Sequence, residues 1–353
     1  MPDWKKPMSQ TYEFYAVDPV TWKDASRLTT VISCTIDMDS EVDTLGSAIL
    51  DLTETIEECY VRVYLVTSQN GVTEKIPLGT FLVQTPTTDF DGKVTKYSVD
   101  AYTPLIELKE NQPPLGYSLS KTDTNIMDAA YRLTREHARA PVSSIDCDET
   151  LQVDYVADTD DTWMTFIRDL MKNAKYSYSL DEMGRILFAP DQDTASLQPV
   201  YTYEDDDDSI LYPDISADRD LFGIPNVVEV TYTKDNVVMQ VRVVNDDPNS
   251  PTSTVRRGRE ILQRDTSPAV DGTPTEETLR QYATQLLREA STLEYTVSYK
   301  HAYCGTRVGD CIRLNYKRAG LTDIKAKIIS QSIKCTQGTP VSERAVFSQK
   351  LWR

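Results

Sequence analysis

The feature that most constrains the fold is a period-two alternation of apolar and polar residues. It fills most of residues 29–108, as in "YVRVYLVTSQNGVTEKIPLGTFLVQTPTTDF". One face of the first run carries Tyr60, Arg62, Tyr64 and Val66, and the other carries Val61, Val63 and Leu65. Such alternation predicts β-strands. The pair Asn70-Gly71 predicts a hairpin between two runs, because both residues tolerate positive φ. Several short strands at this spacing favour a small barrel or sandwich.

The pattern changes to helical spacing after the connector "KENQPPLGYSL". Residues 125–138 predict one helix, and a second is expected after Thr159 or Asp160 as its N-cap. The apolar stripe of the second helix consists of Trp163, Phe166, Ile167, Leu170 and Met171. The segments "YSYSL", "DEMG" and "RILFAP" then predict a hairpin. Together these elements predict an α/β insert near residues 120–190.

The C-terminal part alternates again. Residues 226–244 predict strands that turn near Asp235-Asn236. A helix over 274–290 is expected, with Thr273 as N-cap and Glu276 at capping-box spacing. Later strands follow a turn at Gly309-Asp310, and the adjacent Ile328-Ile329 pair breaks the alternation as a β-bulge at a barrel corner would. The run "VSERAVFSQKLWR" predicts a closing strand.

The fold class predicted from these patterns is α+β, mainly β. A chain of 353 residues is expected to form roughly two to four domains. We predict a β-domain at residues 1–112, the α/β insert at 113–200, and a second β-domain with an inserted helix at 201–353.

Charge is distributed unevenly along the chain, whose net charge is −18. Residues 146–220 hold 20 acidic residues against five basic ones, whereas residues 299–353 hold 11 basic residues against three acidic ones. This asymmetry can mark a polyanion site, complementary docking between copies of the chain, or solvated faces. The total charge disfavours diffusive capture of nucleic acid. If the two segments meet across subunits, association should weaken as salt rises.

The cysteines and the hydropathy of the chain indicate the environment in which it folds. The six cysteines form no CxxC pair, so we expect single buried thiols on strands rather than a disulfide framework. No run approaches the roughly 18 apolar residues of a membrane span, so this chain is not expected to insert into a membrane. The N-terminus lacks the apolar core of a signal peptide, which predicts a protein made in, and soluble in, a cytoplasm.

The sequence offers little for catalysis. His137 and His301 are its only histidines, and both are interpreted as structural. No GxSxG, GxxxxGK[ST], GxGxxG or HExxH motif occurs, so we predict no catalytic, cofactor-binding or metal-binding residue. A weak calcium site at "EDDDDS" or "DTDDT" stays open, as does a pair of catalytic carboxylates.

Tyrosine is abundant on the predicted strands. Residues Tyr60, Tyr64, Tyr97, Tyr102, Tyr295, Tyr299 and Tyr303 could form a stacking surface for sugars or bases, although cross-strand packing is their commoner role.

Three groups of segments resemble a known family. They are "IPLGTFLVQTP" with "YSVDAYTPLIEL", then "LFGIPNVVEVTY", and finally "VGDCIRLNY" through "AKIISQSIKCTQGTPVSERAVF". In their order and spacing they are similar to the baseplate hub or tail-tip proteins of tailed bacteriophages, and of related contractile injection particles and bacteriocins. The resemblance covers residues 31–352.

The resemblance implies a homotrimer in which each chain contributes two tube-type β-barrels. Three chains would then present six barrels to a six-fold tail tube and adapt it to a three-fold tip. It implies a channel for the tape-measure protein and then for DNA, which passes during genome ejection without specific binding. The implied partners are tail tube, distal tail, tape-measure and tip, spike or fibre proteins.

Under this resemblance the chain is a virion component, assembled in the bacterial host cytoplasm, and not an enzyme; any lytic activity is expected on another polypeptide. The alternatives are a carbohydrate-binding or cell-surface adhesion module that uses the tyrosine-rich sheets, and a lytic enzyme that works through two carboxylates.

Overall fold

The computed structural model describes residues 2–90, 92–93, 95–122, 124–219, 221–234, 237–270 and 274–352. The fold is mainly β, as predicted, with large antiparallel sheets. Its strands are β1 (Ser9–Val17), β2 (Asp24–Leu28), β3 (Val31–Asp39), β4 (Gly46–Leu52), β5 (Tyr60–Gln69), β6 (Val72–Phe90), β7 (Thr95–Tyr102), β8 (Ser118–Leu119), β9 (Tyr155–Val156), β10 (Tyr176–Leu180), β11 (Ile186–Pro190), β12 (Tyr201–Glu204), β13 (Leu211–Arg219), β14 (Val227–Lys234), β15 (Val237–Val244), β16 (Leu262–Asp265), β17 (Thr292–Ala302), β18 (Cys311–Tyr316), β19 (Leu321–Lys334) and β20 (Pro340–Lys350). Its helices are α1 (Ile106–Lys109), α2 (Ile126–His137), α3 (Trp163–Lys172), α4 (Thr254–Arg257) and α5 (Glu276–Ala290).

The chain divides into two compact units. The first comprises Met1–Ile215 and Tyr299–Arg344, and the second comprises Ser216–Ser298 and Ala345–Arg353. These units are compact groups of residues, whereas the expected limits at 1–112, 113–200 and 201–353 divide the chain by sequence pattern. The expected limits therefore stay a prediction. Among the described residues, no helix is both long enough and apolar enough to span a membrane.

One large sheet joins the N-terminal and C-terminal strands. Its order is β13-β17-β20-β19-β3-β4-β7-β6-β5-β1-β2, and β18 pairs with both β12 and β19. The junction is antiparallel pairing of β19 with β3, with Ile333 opposite Ile36. Because this path has two open ends in the described part of the chain, the expected pair of separate barrels is not confirmed. Apolar residues of β3 to β7 bury together with Ile333 and Val341 in one core.

The local signals in these strands have clear outcomes. The Asn70-Gly71 hairpin is confirmed: Gln69 pairs with Val72, and the two turn residues have φ of 52° and 80°. The alternation break at Ile328-Ile329 coincides with a change of neighbours. The backbone of Ile328 bonds with Gly309 and Asp310, whereas the carbonyl of Ile329 accepts from Ser40 on the other side.

The α/β insert packs two helices over a hairpin in the first unit. Helix α2 begins after Asn125, whose side chain accepts from the Asp128 amide, and all five residues of the α3 stripe are buried. Strands β10 and β11 form the predicted hairpin. The predicted cap of α3 is wrong, because Thr162 and Thr165 form a reciprocal capping box. This box satisfies two orphan groups at once.

The second unit contains the three-stranded sheet β15-β14-β16 and α5. Leu279, Ala283 and Leu287 of α5 are buried against Val228, Val230, Tyr232 and Val241. The helix starts later than predicted, because Thr275 is its N-cap and accepts from the Thr278 amide. This start places Glu276 and Glu277 in the first turn, where the helix dipole favours them. The predicted cap Thr273 and the turn at Asp235-Asn236 lie outside the described residues.

All six cysteines are free thiols. Four are buried, as expected, but Cys59 and Cys147 are half-buried. Only Cys34 and Cys311 lie within strands, so the expectation of strand-borne thiols is right for two residues. The others lie in loops or at strand ends. The sequence did not show this, because alternation alone does not fix the strand limits.

Candidate functional site: a cavity beside a buried ion pair

A cavity of about 290 Å³ lies within the first unit. Much of its lining comes from three segments: residues 78–81 of β6, the hairpin around 177–184, and the loop 303–309. Glu182 and Arg307 in its lining form an ion pair of 3.1 Å. Thr306 and Gln331 also line the cavity, and both of them contact a carboxylate buried behind it.

That carboxylate belongs to Glu343 on β20, which pairs with His301 on β17. The distance between His301 Nε2 and Glu343 Oε2 is 3.2 Å, and both side chains are completely buried. Tyr299 donates to Oε2 at 2.5 Å, while Thr306 and Gln331 donate to Oε1 at 2.8 and 2.6 Å. The carboxylate therefore has donors on both oxygens, which offsets the cost of removing it from water.

The ionised forms of the pair are mutually stabilised. Burial disfavours the imidazolium, but the Cys304 thiol and the Glu343 carboxylate outweigh it and raise the pKa of His301 to about 10. Burial likewise disfavours the carboxylate, but the charge of His301 and the hydrogen bonds to it hold the pKa of Glu343 below its usual value. At neutral pH the site is a buried ion pair.

In space, His301 lies between Cys304 and Glu343, as the base lies between a nucleophile and an orienting acid in a catalytic triad. Cys304 Sγ lies 3.9 Å from His301 Nδ1. The same nitrogen lies 2.8 Å from the Ala302 carbonyl, to which the imidazolium donates. A general base needs a nitrogen free to accept a proton, and here both ring nitrogens donate. We infer that this cluster holds strands together and does not activate the thiol.

Sequence reasoning missed this network, although a signal was present. Along β20 the buried face consists of Val341, Glu343 and Ala345, and along β17 it includes Tyr299 and His301. An ionisable residue at an apolar position of an alternating strand, repeated in two strands, predicts an internal pair. His301 lies within β17.

The second histidine, His137, is the last residue of α2. Its ring stacks on Trp163, with centroids 4.0 Å apart. Burial lowers the pKa of His137 and so favours the uncharged ring. The structure thus gives His137 a packing contact.

Arg62 is a further charged residue that the alternation did not single out. Its side chain is 1% exposed, pairs with Asp24 at 2.8 Å, and donates to Thr80 Oγ1 at 2.9 Å. It also donates to the Met183 carbonyl at 3.0 Å, to which Trp22 donates at 2.8 Å. Arg62 therefore fastens the β10–β11 turn to the N-terminal strands.

The acidic and basic segments meet inside the chain. Arg318 forms a forked contact with Asp205, in which its Nε lies 2.8 and 2.9 Å from the two carboxylate oxygens. Lys325 donates to the Ala195 carbonyl at 2.7 Å, and Glu182 pairs with Arg307 as described above. Part of the charge asymmetry is thus used in intramolecular contacts of the first unit.

The two acidic stretches considered for calcium make contacts within the chain, and in the first of them Asp205 pairs with Arg318. Asp161 accepts from the Asp158 amide and from the Thr165 hydroxyl at the start of α3. Across the residues that the structure describes, no three potential metal-ligating side chains gather in one place.

Five of the seven tyrosines considered for a stacking surface are core residues. Tyr60, Tyr64, Tyr295, Tyr299 and Tyr303 are all less than 10% exposed. Buried rings cannot stack on a sugar or base from solvent, so these five residues do not provide the surface that an adhesion module would use.

No family model matches the chain, and no curated protein matches its sequence. Solved structures match its fold. The tail protein of Neisseria meningitidis MC58 is 14% identical with a TM-score of 0.59, and the match covers 96% of this chain and 97% of that one. The 43 kDa tail protein of prophage MuSo2 from Shewanella oneidensis is 11% identical with a TM-score of 0.62, covering 96% and 98%.

A chain of the Francisella PdpA-VgrG complex also matches, with 8% identity and a TM-score of 0.55, over 97% of this chain and 53% of that one. The chain therefore has the fold of phage tail proteins and of a component of this VgrG complex. At these identities the likeness concerns the fold.

Proposed function

We propose that the protein is a structural hub at the tip of a phage-like tail. The observation that carries the proposal is the extent of the fold match. Two tail proteins are covered almost from end to end by this chain, with no large part left over on either side. A match over the whole chain favours a role that depends on the shape of the whole molecule over a role that depends on a single local site.

In the proposed assembly three copies form a ring around a channel. The β-rich regions at residues 1–112 and 201–353 would each act as one tube-facing module, so that three chains offer six modules to a six-fold tail tube. The insert at 113–200 would occupy the space between them. The channel would pass the tape-measure protein and then DNA, and a net charge of −18 would keep phosphates from adhering to it.

The proposed partners follow from this position: the tail tube and distal tail proteins on one side, and tip, spike or fibre proteins on the other. The protein would act in the virion without catalysing a reaction. The use of its buried charges in strand-to-strand contacts, at His301 with Glu343 and at Arg62, supports a structural role.

The test is binding to the tail tube protein encoded with this chain. We expect multi-angle light scattering to show a trimer in the mixture, and electron microscopy to show rings capping short tubes. A chain that stays monomeric and does not bind the tube protein at any concentration or salt would overturn the proposal. Saturable binding to glycans by such a monomer would favour the adhesion alternative.

A further inference from the structure

Cys34 and Cys335 lie directly opposite each other where β3 meets the end of β19. The pairing places Ile333 opposite Ile36 and Lys334 opposite Thr35, so the next pair in register is Cys335 with Cys34. The Cys335 amide donates to the Cys34 carbonyl at 2.9 Å, which extends the ladder by one pair. The side chains are 2% and 8% exposed and belong to the same apolar core.

This placement suits a covalent link. Directly opposed residues in a hydrogen-bonded antiparallel pair have Cα atoms about 5.5 Å apart, and their side chains leave the sheet on the same face. Disulfides join Cα atoms about 4.4–6.8 Å apart, so the spacing of directly opposed strand residues falls within the range that a disulfide bridges. The two thiols also interact: a hydrogen bond with the Cys335 thiol, together with burial, raises the pKa of Cys34.

We propose that Cys34 and Cys335 are a redox modification site that forms an intrachain disulfide once the protein leaves a reducing cytoplasm. The oxidising environment rests on the proposed function, in which the chain becomes part of an extracellular particle. The pairing of the two cysteines does not depend on that function. Structural disulfides persist in oxidising surroundings and are rare in the cytosol.

The oxidant would be a low-molecular-weight disulfide such as glutathione disulfide. The thiolate of Cys335, the more exposed of the two, attacks one oxidant sulfur, and the first glutathione thiolate leaves. The Cys34 thiolate then attacks the mixed disulfide at the Cys335 sulfur, and the second glutathione thiolate leaves. The protein loses two electrons and two protons, and the oxidant is reduced to two thiols.

The bond would have a mechanical effect. It would tie an N-terminal strand to a C-terminal one and close a loop of roughly 300 residues, and a cross-link over a long loop restricts the unfolded chain strongly. The expected gain in the melting temperature is about 3–5 °C for a chain of this size.

The experiment treats the reduced full chain with glutathione disulfide at mildly alkaline pH, both folded and during refolding, and then alkylates the remaining thiols in denaturant. We expect a mass loss of two hydrogens, a peptide that links Cys34 to Cys335, four alkylated cysteines, and a raised melting temperature. Cys335→Ala and Cys34→Ala should each abolish the link and the rise. Cys311→Ala, at a buried cysteine on β18, should keep both.

Alkylation of both Cys34 and Cys335 in the refolded sample would overturn the proposal, because glutathione disulfide reaches both thiols before folding buries them. Linkage of either cysteine to a different partner would overturn it as well. The result is independent of tube binding: a disulfide without tube binding would leave this inference standing and remove the proposed function.

Discussion

Glu343 and His301 show how individual residues decide the stability of this fold. A carboxylate inside a β-core is tolerated only when other groups replace its hydration, and Glu343 receives hydrogen bonds from Tyr299, Thr306 and Gln331 in addition to its ion pair. These donors come from β17, β19 and a connecting loop, so one side chain of β20 connects all of them. Removing it should loosen several elements together.

We expect Glu343→Gln to destabilise the protein by about 3–5 kcal/mol, because it leaves the His301 imidazolium buried without its counter-charge. Urea unfolding followed by fluorescence would measure this change. Glu41→Gln is the matched control, since Glu41 pairs with Arg344 at 3.8 Å with both side chains largely exposed. That change should cost less than about 1 kcal/mol. Equal effects of the two substitutions would contradict the assigned role of the buried pair.

Adding His301→Gln to the first variant should restore part of the stability, because a pair of neutral groups leaves no buried charge uncompensated. If the double variant is less stable than either single variant, the ion pair is not what couples the two positions.

The same pair predicts how stability depends on pH. The lowered pKa of Glu343 contributes stability that is present above its usual value of 4.5 and is lost as pH falls through the lower folded value. The raised pKa of His301 contributes stability that is present below its usual value of 6.5 and is lost as pH rises toward about 10. Both contributions are complete between pH 4.5 and 6.5.

Urea midpoints measured across pH for the native chain and for the Glu343→Gln/His301→Gln variant would check this dependence. We expect the difference between the two curves to be largest in the window from pH 4.5 to 6.5 and to shrink on both sides. A difference that stays constant with pH would mean that the pair does not titrate as assigned.

At the scale of elements, the β10–β11 turn is packed unusually closely against the N-terminal sheet. A Cβ atom on Gly184 would lie 2.7 Å from Thr80 Cβ and 3.2 Å from Trp22 Cζ2. Thr80 also donates to the Glu182 carbonyl at 3.2 Å, and Arg62 bonds the next carbonyl, that of Met183. Close backbone approach and a buried guanidinium therefore fix the position of the insert's hairpin within the first unit.

Gly184→Ala should thus destabilise the chain more than backbone strain alone explains. Gly116→Ala is the matched control, because Gly116 has φ of 77° against 76° for Gly184, and its Cβ would meet nothing within 4 Å. The control should cost about 1–2 kcal/mol through strain, and Gly184→Ala about 1–3 kcal/mol more through the clash. Thermal unfolding would compare the two. Equal losses would show that the turn shifts to accept the methyl group without cost.

The elements themselves could largely be predicted from the sequence, because their signals are local. The Asn70-Gly71 turn and the α3 stripe each depend on a few neighbouring residues. The helix caps were missed by two or three residues, since Thr162 and Thr275 compete with nearby threonines and only the formed hydrogen bonds decide between them. Apart from hairpins such as β5–β6 and β10–β11, the partner of each strand could not be predicted.

At the scale of the whole molecule, the main feature is that residues distant in sequence complete one sheet. Pairing of β19 with β3 joins segments about 300 residues apart, and no turn signal specifies it. The alternation predicted β-rich regions before and after the insert but not how their strands pair, and the two barrels that the resemblance implied are not confirmed by this sheet. The buried network was missed for the same reason: His301 and Glu343 are both visible in the sequence, but their meeting depends on the order of the strands.

The meeting of charges within the chain also changes what is expected of its association. Arg307, Arg318 and Lys325 of the basic end already contact the acidic segment inside one copy. Fewer cations then remain to attract a neighbouring copy, while the net charge of −18 repels it over a range of about 8–10 Å at physiological salt. Repulsion between copies should therefore outweigh attraction between their segments.

We accordingly expect association between copies to strengthen as salt rises from about 50 to 500 mM, the reverse of the expectation from charge patterning alone. Sedimentation equilibrium would measure it. A variant with Asp206, Asp207 and Asp208, all exposed, replaced by Asn should associate more tightly at low salt and respond less to added salt. If instead the native chain dissociates as salt rises, acidic and basic surfaces pair between copies. If salt has no effect on either protein, apolar surfaces hold the copies together.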